Sequence, residues 1–210
     1  MERVRAWVNA ILGRNVAPAP SQSDRLFALN TAQITMHVSL GLKPTGVAAI
    51  VFKALESAQF ARLQAEIRDL LKIAARETQT VSHAIKDTYG YWWIVFYDDD
   101  FEELVAAMHL VTSSLEDQGF GPSLLAAVFE YVDEEEHKVY MIYNFKRGRF
   151  YPFVPTGNKT RDTAREFRIK AVLANELPIE PDTARWYPLW DLPLQRPQQG
   201  GGKSSFGNVM

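Results

Sequence analysis

The groups that could act on a substrate are four histidines, twenty-five carboxylates and one glycine-rich run. His37, His83, His109 and His137 are scattered and never stand at i and i+4, the spacing that puts two imidazoles on one helical face for a metal. Each reads as a helix-edge, strand or turn residue. No GxSxG elbow and no HExxH occurs. Asp98-Asp99-Asp100 lacks the glycine and the spaced ligands of a calcium loop, so it reads as a solvated turn that caps a helix. Gly200-Gly201-Gly202-Lys203-Ser204 resembles half of a phosphate loop. Pro197 stands where the first glycine belongs, however, and the pattern predicts neither a strand before it nor a helix after it. Asn158-Lys159-Thr160 fits a glycosylation sequon with nothing to imply secretion. The chain has no Cys, which excludes disulfides, thiolate zinc sites and cysteine nucleophiles. Carboxylates do cluster, at Glu102/Glu103, Glu116/Asp117 and Glu134 to Glu136. Acids are expected at helix N-termini and hairpin tips for structural reasons, and acid–base work needs an apolar pocket that moves a pKa. A hydrolase using paired carboxylates is therefore the least favoured reading. No catalytic, cofactor-binding or metal-ligating residue is assigned, and the chain is expected not to be an enzyme.

Charge placement says more. Twelve acids and no Lys or Arg lie between Asp98 and Glu136, whereas eight bases face two acids between Lys146 and Lys170. A net charge of −2 hides these two blocks. They read either as solvated faces that partly pair with each other, or as a dipolar surface that steers a charged partner into register. Nucleic acid is a poor candidate for that partner, because a pI near 6.1 and the acidic block oppose phosphate attraction.

The elements that would hold these residues can be read from periodicity. Hydrophobic residues make up 47% of the 210 residues and charged ones 23%, which suits one folded domain with extensions. No stretch reaches the length of an apolar membrane span. Val4, Trp7, Val8, Ile11 and Leu12 form one stripe on a predicted helix over 1–14, with Arg3, Arg5 and Arg14 away from it. This is no secretory signal, because charges interrupt it. The stripe can be covered by its own domain, by a partner helix or by a bilayer surface, the last only weakly. A Pro-rich linker over 15–22 tethers it. A helix capped by Ser23 or Asp24 is predicted to run to Leu40, then a strand from Gly46 to Phe52 and a helix carrying Phe60, Leu63, Ile67, Leu70, Leu71 and Ala74. Strands over Val81–Asp87 and Tyr91–Tyr97 come next, the second rich in aromatic and β-branched residues and read as central. Asp100 and Glu103 start a helix in capping-box fashion, and Gly119 ends it. Strands over Leu124–Val132 and Lys138–Phe145 flank an acidic tip, Asp133 to Glu136. A strand over Arg149–Val154, a helix over Lys159–Asn175 and a Pro-rich segment with Trp186, Tyr187 and Trp190 complete the domain, assigned to 23–194. The tail, 195–210, reads as disordered. Strands joined by short turns predict an α+β fold, an antiparallel sheet of five to six strands with packed helices. Its layout is similar to that of secretion chaperones.

Several phrases resemble a known family. They include Lys43-Pro44-Thr45-Gly46, Asp87-Thr88-Tyr89-Gly90-Tyr91-Trp92, Phe145-Lys146-Arg147-Gly148-Arg149-Phe150-Tyr151-Pro152-Phe153, and Glu180-Pro181-Asp182-Thr183-Ala184-Arg185-Trp186-Tyr187-Pro188-Leu189-Trp190. Together, over about Leu26 to Trp190, they resemble the PspA-associated protein PspAB family. The resemblance implies a non-enzymatic accessory role in a PspA-type envelope stress response, in the cytoplasm and at most peripheral to the inner face of the membrane. It brings no catalytic residues.

The reading of function is thus an adaptor that binds a protein partner, a PspA-like coiled coil. Lys146, Arg147 and Arg149 surround a turn and are not evidently needed for folding, so with Arg161 and Arg165 they are candidates to face an acidic helix. Trp7 and Ile11 would add an apolar contact. A chaperone-like module that holds an unfolded peptide is the alternative.

Overall fold

A computed structural model describes residues 21–53, 58–77 and 80–194. The predicted helix over 1–14, most of the linker and the tail lie outside the described residues. So do the side chains of Phe60 and Ala74. The described chain is an α+β domain with one six-stranded antiparallel sheet, in the order β2-β3-β1-β4-β5-β6. The strands are β1 Lys43–Phe52, β2 Val81–Lys86, β3 Trp92–Tyr97, β4 Leu124–Val132, β5 Lys138–Asn144 and β6 Arg149–Phe153. Four helices accompany them: α1 Ala28–Leu40, α2 Ala58–Glu77, α3 Phe101–Asp117 and α4 Thr163–Leu173. None of these helices is long and apolar enough to cross a membrane.

Strand register decides which side chains meet which layer. Phe96 opposes Ala48, which opposes Phe129, and Phe129 opposes Met141, so these share a face. On that face α3 packs Phe101 against Phe129 and Tyr131, with ring centroids 6.1 and 5.8 Å apart. Val95, Ala49, Val128 and Ile142 are on the opposite face. There a strap formed by residues 178–194 lies over the β5–β6 end: Tyr151 donates its hydroxyl to the carbonyl of Tyr187, and Trp190 meets Phe153 edge-on at 5.0 Å. The strap also closes the sheet. The Phe150 amide donates to Pro178 O and the Glu180 amide to Phe150 O, so the outer rim of β6 is not a bare edge. All six residues of β3 are buried, as its two-faced apolar sequence requires; β3 is an interior strand, one place from the β2 edge.

Local chemistry explains where the elements depart from periodicity. Ser23 and Asp24 do not cap a helix. Ser23–Phe27 is a 3-10 turn running straight into α1, and the Ser23 hydroxyl donates to Glu116 at 2.6 Å while Asp24 pairs with His109 at 2.9 Å. β1 starts at Lys43 instead of Gly46, because an irregularity between Pro44 and Ala48 lets the strand accommodate a proline, with Gly46 at φ 73°. The helix expected from Lys159 begins at Thr163, capped by Asp162. Before it comes a small hairpin, β7 Pro155–Gly157 and β8 Thr160–Arg161, turned by Asn158 and Lys159 at φ 49° and 54°. Asp100 caps α3 as predicted, its carboxylate accepting from the amides of Glu102 and Glu103, but the box does not close on Glu103, because the Asp100 amide donates to Asp98 at 2.9 Å.

One core group is out of place. The Tyr131 hydroxyl is fully buried with no hydrogen-bond partner among the described residues, and burial pushes its phenol well above the ordinary range. An unsatisfied buried hydroxyl costs about 1–3 kcal/mol, so Tyr131→Phe should keep or raise stability. Urea unfolding followed by circular dichroism tests this; a loss of stability would mean that the hydroxyl is satisfied.

Candidate partner-binding surface

The cations singled out by sequence do not form one free surface. Arg147 donates from Nε to Glu180 at 2.6 Å, and Glu180 is buried beneath it. Arg161 donates from Nε to both oxygens of Glu166 at 2.9 Å and from Nη1 to Trp186 O at 2.7 Å. Glu166 is fully buried and also accepts from the amide of Val154. Arg165 reaches Asp133 at 2.7 Å across from the β4–β5 tip. Three of the five candidate cations therefore neutralise carboxylates that the fold has taken out of water. The expectation that the turn cations are dispensable for folding is corrected for Arg147. Lys146 and Arg149 remain exposed. Gly148, at φ 63°, fixes their turn, and its carbonyl accepts from Arg25 at 2.8 Å. Trp7 and Ile11 lie outside the described residues.

The electrostatics of these pairs follow from burial. Desolvation alone would raise Asp133 and Glu180, but the His137 amide and Arg165 hold Asp133 below the usual carboxylate range, and Arg147 does the same for Glu180. For Glu166 desolvation outweighs Arg161 and the Val154 amide, and its pKa is raised. Both Glu166 oxygens are already engaged by Arg161, so this displaced carboxyl is a structural one.

A cleft of about 760 Å³ opens between the C-terminus of α1, the β4–β5 tip and the start of α4, with His37, Gly41, Glu134, Asp162, Arg165 and Arg168 on its walls. Asp133, Glu135 and His137 bring ligand atoms within 4.8 Å of one another here. The buried oxygen of Asp133 is however held by Arg165 and by His137 at 3.2 Å, so a cation would have to displace the guanidinium. The cleft is a charged notch, and its pairs belong to the scaffold.

The outer side of α1 is a different kind of surface. Its thirteen residues contain no Asp, Glu, Lys or Arg. Leu29, Ala32 and Met36 face the core, while Ile34 is 64% and Val38 77% exposed on the opposite side. Thr31 shares that side, and Phe27 continues it, its ring already 4.5 Å from His109. The row 27, 31, 34, 38 has the alternating four-and-three spacing of a helix seam. Surface helices ordinarily turn charged residues outward. Sequence reading missed this surface, although a charge-free stretch of helix beside apolar residues on two sides was there to find.

Fold and surface together define, over the described residues, a single-domain α+β protein in which Asp133, Glu166 and Glu180 are paired within the chain and α1 presents an outward apolar row; Val81, Tyr89, Phe167 and Tyr187 are exposed elsewhere. A family model described as PspAB, PspA associated protein B, matches residues 5–194, and the chain belongs to that family. No curated protein and no solved structure matches it.

Proposed function

We propose that this protein is a non-enzymatic accessory protein of a PspA-type envelope stress response. It binds a protein partner, a PspA-like coiled coil, from the cytoplasmic side, and its own contact with the membrane is at most weak and peripheral. The observation that carries this reading is the family match, which takes in residues 5–194 and whose description names association with PspA. The disposition of charge supports it. Lys146 and Arg149 project from a turn held rigid by Gly148 and Arg25, where they suit the acidic flank of a helix.

Capture of a PspA homologue from the same organism tests the reading. Lys146→Glu with Arg149→Glu spares the Arg147–Glu180 pair but removes the Arg149 Nη1 contact with Ile179 O at 3.4 Å, so circular dichroism of the variant is compared with wild type and Lys146→Glu alone is the control that leaves the strap contacts untouched. The double reversal is expected to weaken capture about tenfold or more, equivalent to at least ~1.4 kcal/mol. Trp7→Ala with Ile11→Ala is expected to weaken it further. Full capture by both variants at physiological salt would overturn the proposal.

A further inference from the structure

We infer that the outer row of α1 is the docking surface for residues 1–14 of the same chain, folded back as an antiparallel helix. The inference concerns the free protein and does not rest on the identity of any partner.

Three observations lead to it. The first is register. The exposed row that continues Phe27 along α1, read backwards, is Val38, Ile34 and Thr31, with spacings of four and three; His37 and Ser39 are exposed beside it. The N-terminal stripe read forwards contains Val4, Val8 and Ile11, with the same spacings. An antiparallel pair therefore sets Val4 against Val38, Val8 against Ile34 and Ile11 against Thr31 in a single alignment, and Trp7 and Leu12 flank the seam. The second is length and connection. Fourteen helical residues extend about 21 Å and the thirteen of α1 about 20 Å. The described chain begins at Ser21 and enters α1 through the Ser23–Phe27 turn. The intervening residues 15–20 can span roughly 20 Å when extended, enough to carry the chain from Ser21 past the five-residue turn to the start of α1. The third is charge and the extent of the family match. No charged residue lies on α1, so Arg3, Arg5 and Arg14 are not drawn into the seam, and the same register brings Arg3 and Arg5 to the end of α1 where Glu134 and Glu135 of the β4–β5 tip share a cleft with Val38. The match begins at residue 5, so most of the segment belongs to the same pattern as the folded domain.

Docking has a regulatory consequence. The stripe that would offer Trp7 and Ile11 to a partner is the one that covers α1. A partner helix that takes the stripe uncovers Ile34 and Val38, and one that takes α1 releases the stripe. The N-terminal segment then acts as an intramolecular competitor.

The full-length protein carries its own probe, since trypsin cleaves after Arg3, Arg5 and Arg14. Docking protects these bonds. Ile34→Asp with Val38→Asp, both on exposed positions, should leave the circular dichroism of the domain unchanged and speed cleavage at Arg14 about tenfold or more. A second measurement uses the absence of native Cys. The pair Val8→Cys and Ile34→Cys should oxidise to an intramolecular disulfide much faster than the pair Ala6→Cys and Ile34→Cys, because Ala6 faces away from the stripe. Unchanged cleavage of the aspartate variant, or equal oxidation of the two pairs, would overturn the inference. So would protection that grows with protein concentration alongside a dimer in sedimentation, which would make a second copy the occupant. Protection seen only with added PspA homologue, or only with anionic vesicles, would overturn it as well. These readouts need no partner, so they stand or fall separately from the capture experiment.

Discussion

Replacing Arg161 with Met should lower stability by about 3–5 kcal/mol, the range for removing one member of a buried ion pair. The substitution keeps the bulk of the side chain and removes three contacts at once. Glu166, fully buried, loses both Nε hydrogen bonds; the carbonyl of Trp186 loses its donor; and the Phe153 ring loses the cation 5.3 Å from its centroid. The Val154 amide still donates to Glu166, but one amide does not replace a guanidinium. A second substitution reads the mechanism. Glu166→Gln keeps an acceptor for Val154 and carries no charge, so the double variant should regain part of the loss, and the cycle reports the coupling. The pH dependence adds a sign. Glu166 already has a raised pKa in the folded protein, so its contribution is present below the unfolded value and is lost as pH rises through the folded one. Loss of Arg161 raises that folded value further. The gap between wild type and Arg161→Met should therefore narrow as pH falls from neutral into the carboxylate range. Asp133 and Glu180 have lowered pKa values and lose stability on the same descent, but they do so in both proteins and cancel from the difference. Urea unfolding at both pH values decides: a cost under about 1 kcal/mol would class the pair with exposed salt bridges.

The same pair shows how far the sequence could be read. The strands announced themselves where one residue class filled them, as in Trp92–Tyr97, and where both ends carried turn chemistry, as in the β4–β5 hairpin with its acidic tip. The Asp100 cap was legible because its partners are two and three residues away. Partners far along the chain were not. Arg147 meets Glu180 across thirty-three residues, and Arg165 meets Asp133 across a helix–hairpin contact. Summing charge over blocks cannot distinguish a cation that is spent on a buried acid from one left in water. The β7–β8 hairpin escaped because strands of three and two residues have no measurable period, although Gly157-Asn158 marked its turn. On α1 the difficulty was of another kind. Leu29, Ala32 and Met36 satisfy helical spacing, and so do Phe27, Ile34 and Val38. Periodicity reveals that apolar rows exist; only the sheet decides which of two rows it covers.

Trp186→Ala should cost about 3–5 kcal/mol, as for other large-to-small aromatic changes in cores, and its effect should spread outward from the strap. Trp186 is buried where the strap meets α4. Its indole N–H donates to Glu180 O at 3.0 Å, its ring centroid lies 5.9 Å from that of Phe167, and Lys170 sits 5.6 Å above the ring. Its carbonyl is the one Arg161 holds, so the side chain and the backbone of this residue anchor two different elements to the strap. Upstream, the strap pairs with Phe150 of β6, and Glu180 in the same stretch receives Arg147. Truncating the indole leaves a cavity and strips Glu180 O of its donor, which loosens the grip on β6. Trp186→Phe separates the two contributions: it retains most of the buried area and loses the hydrogen bond, for a cost of about 1–2 kcal/mol. Native-state hydrogen exchange gives the spatial test. In Trp186→Ala the amides of Phe150 and Glu180, which join strap to sheet, should open well before those of β1 and β3, because each lies at the margin where the strap substitutes for a seventh strand. Uniform acceleration over the whole sheet would mean instead that the strap and the core unfold as one unit, with Trp186 as an ordinary member of it.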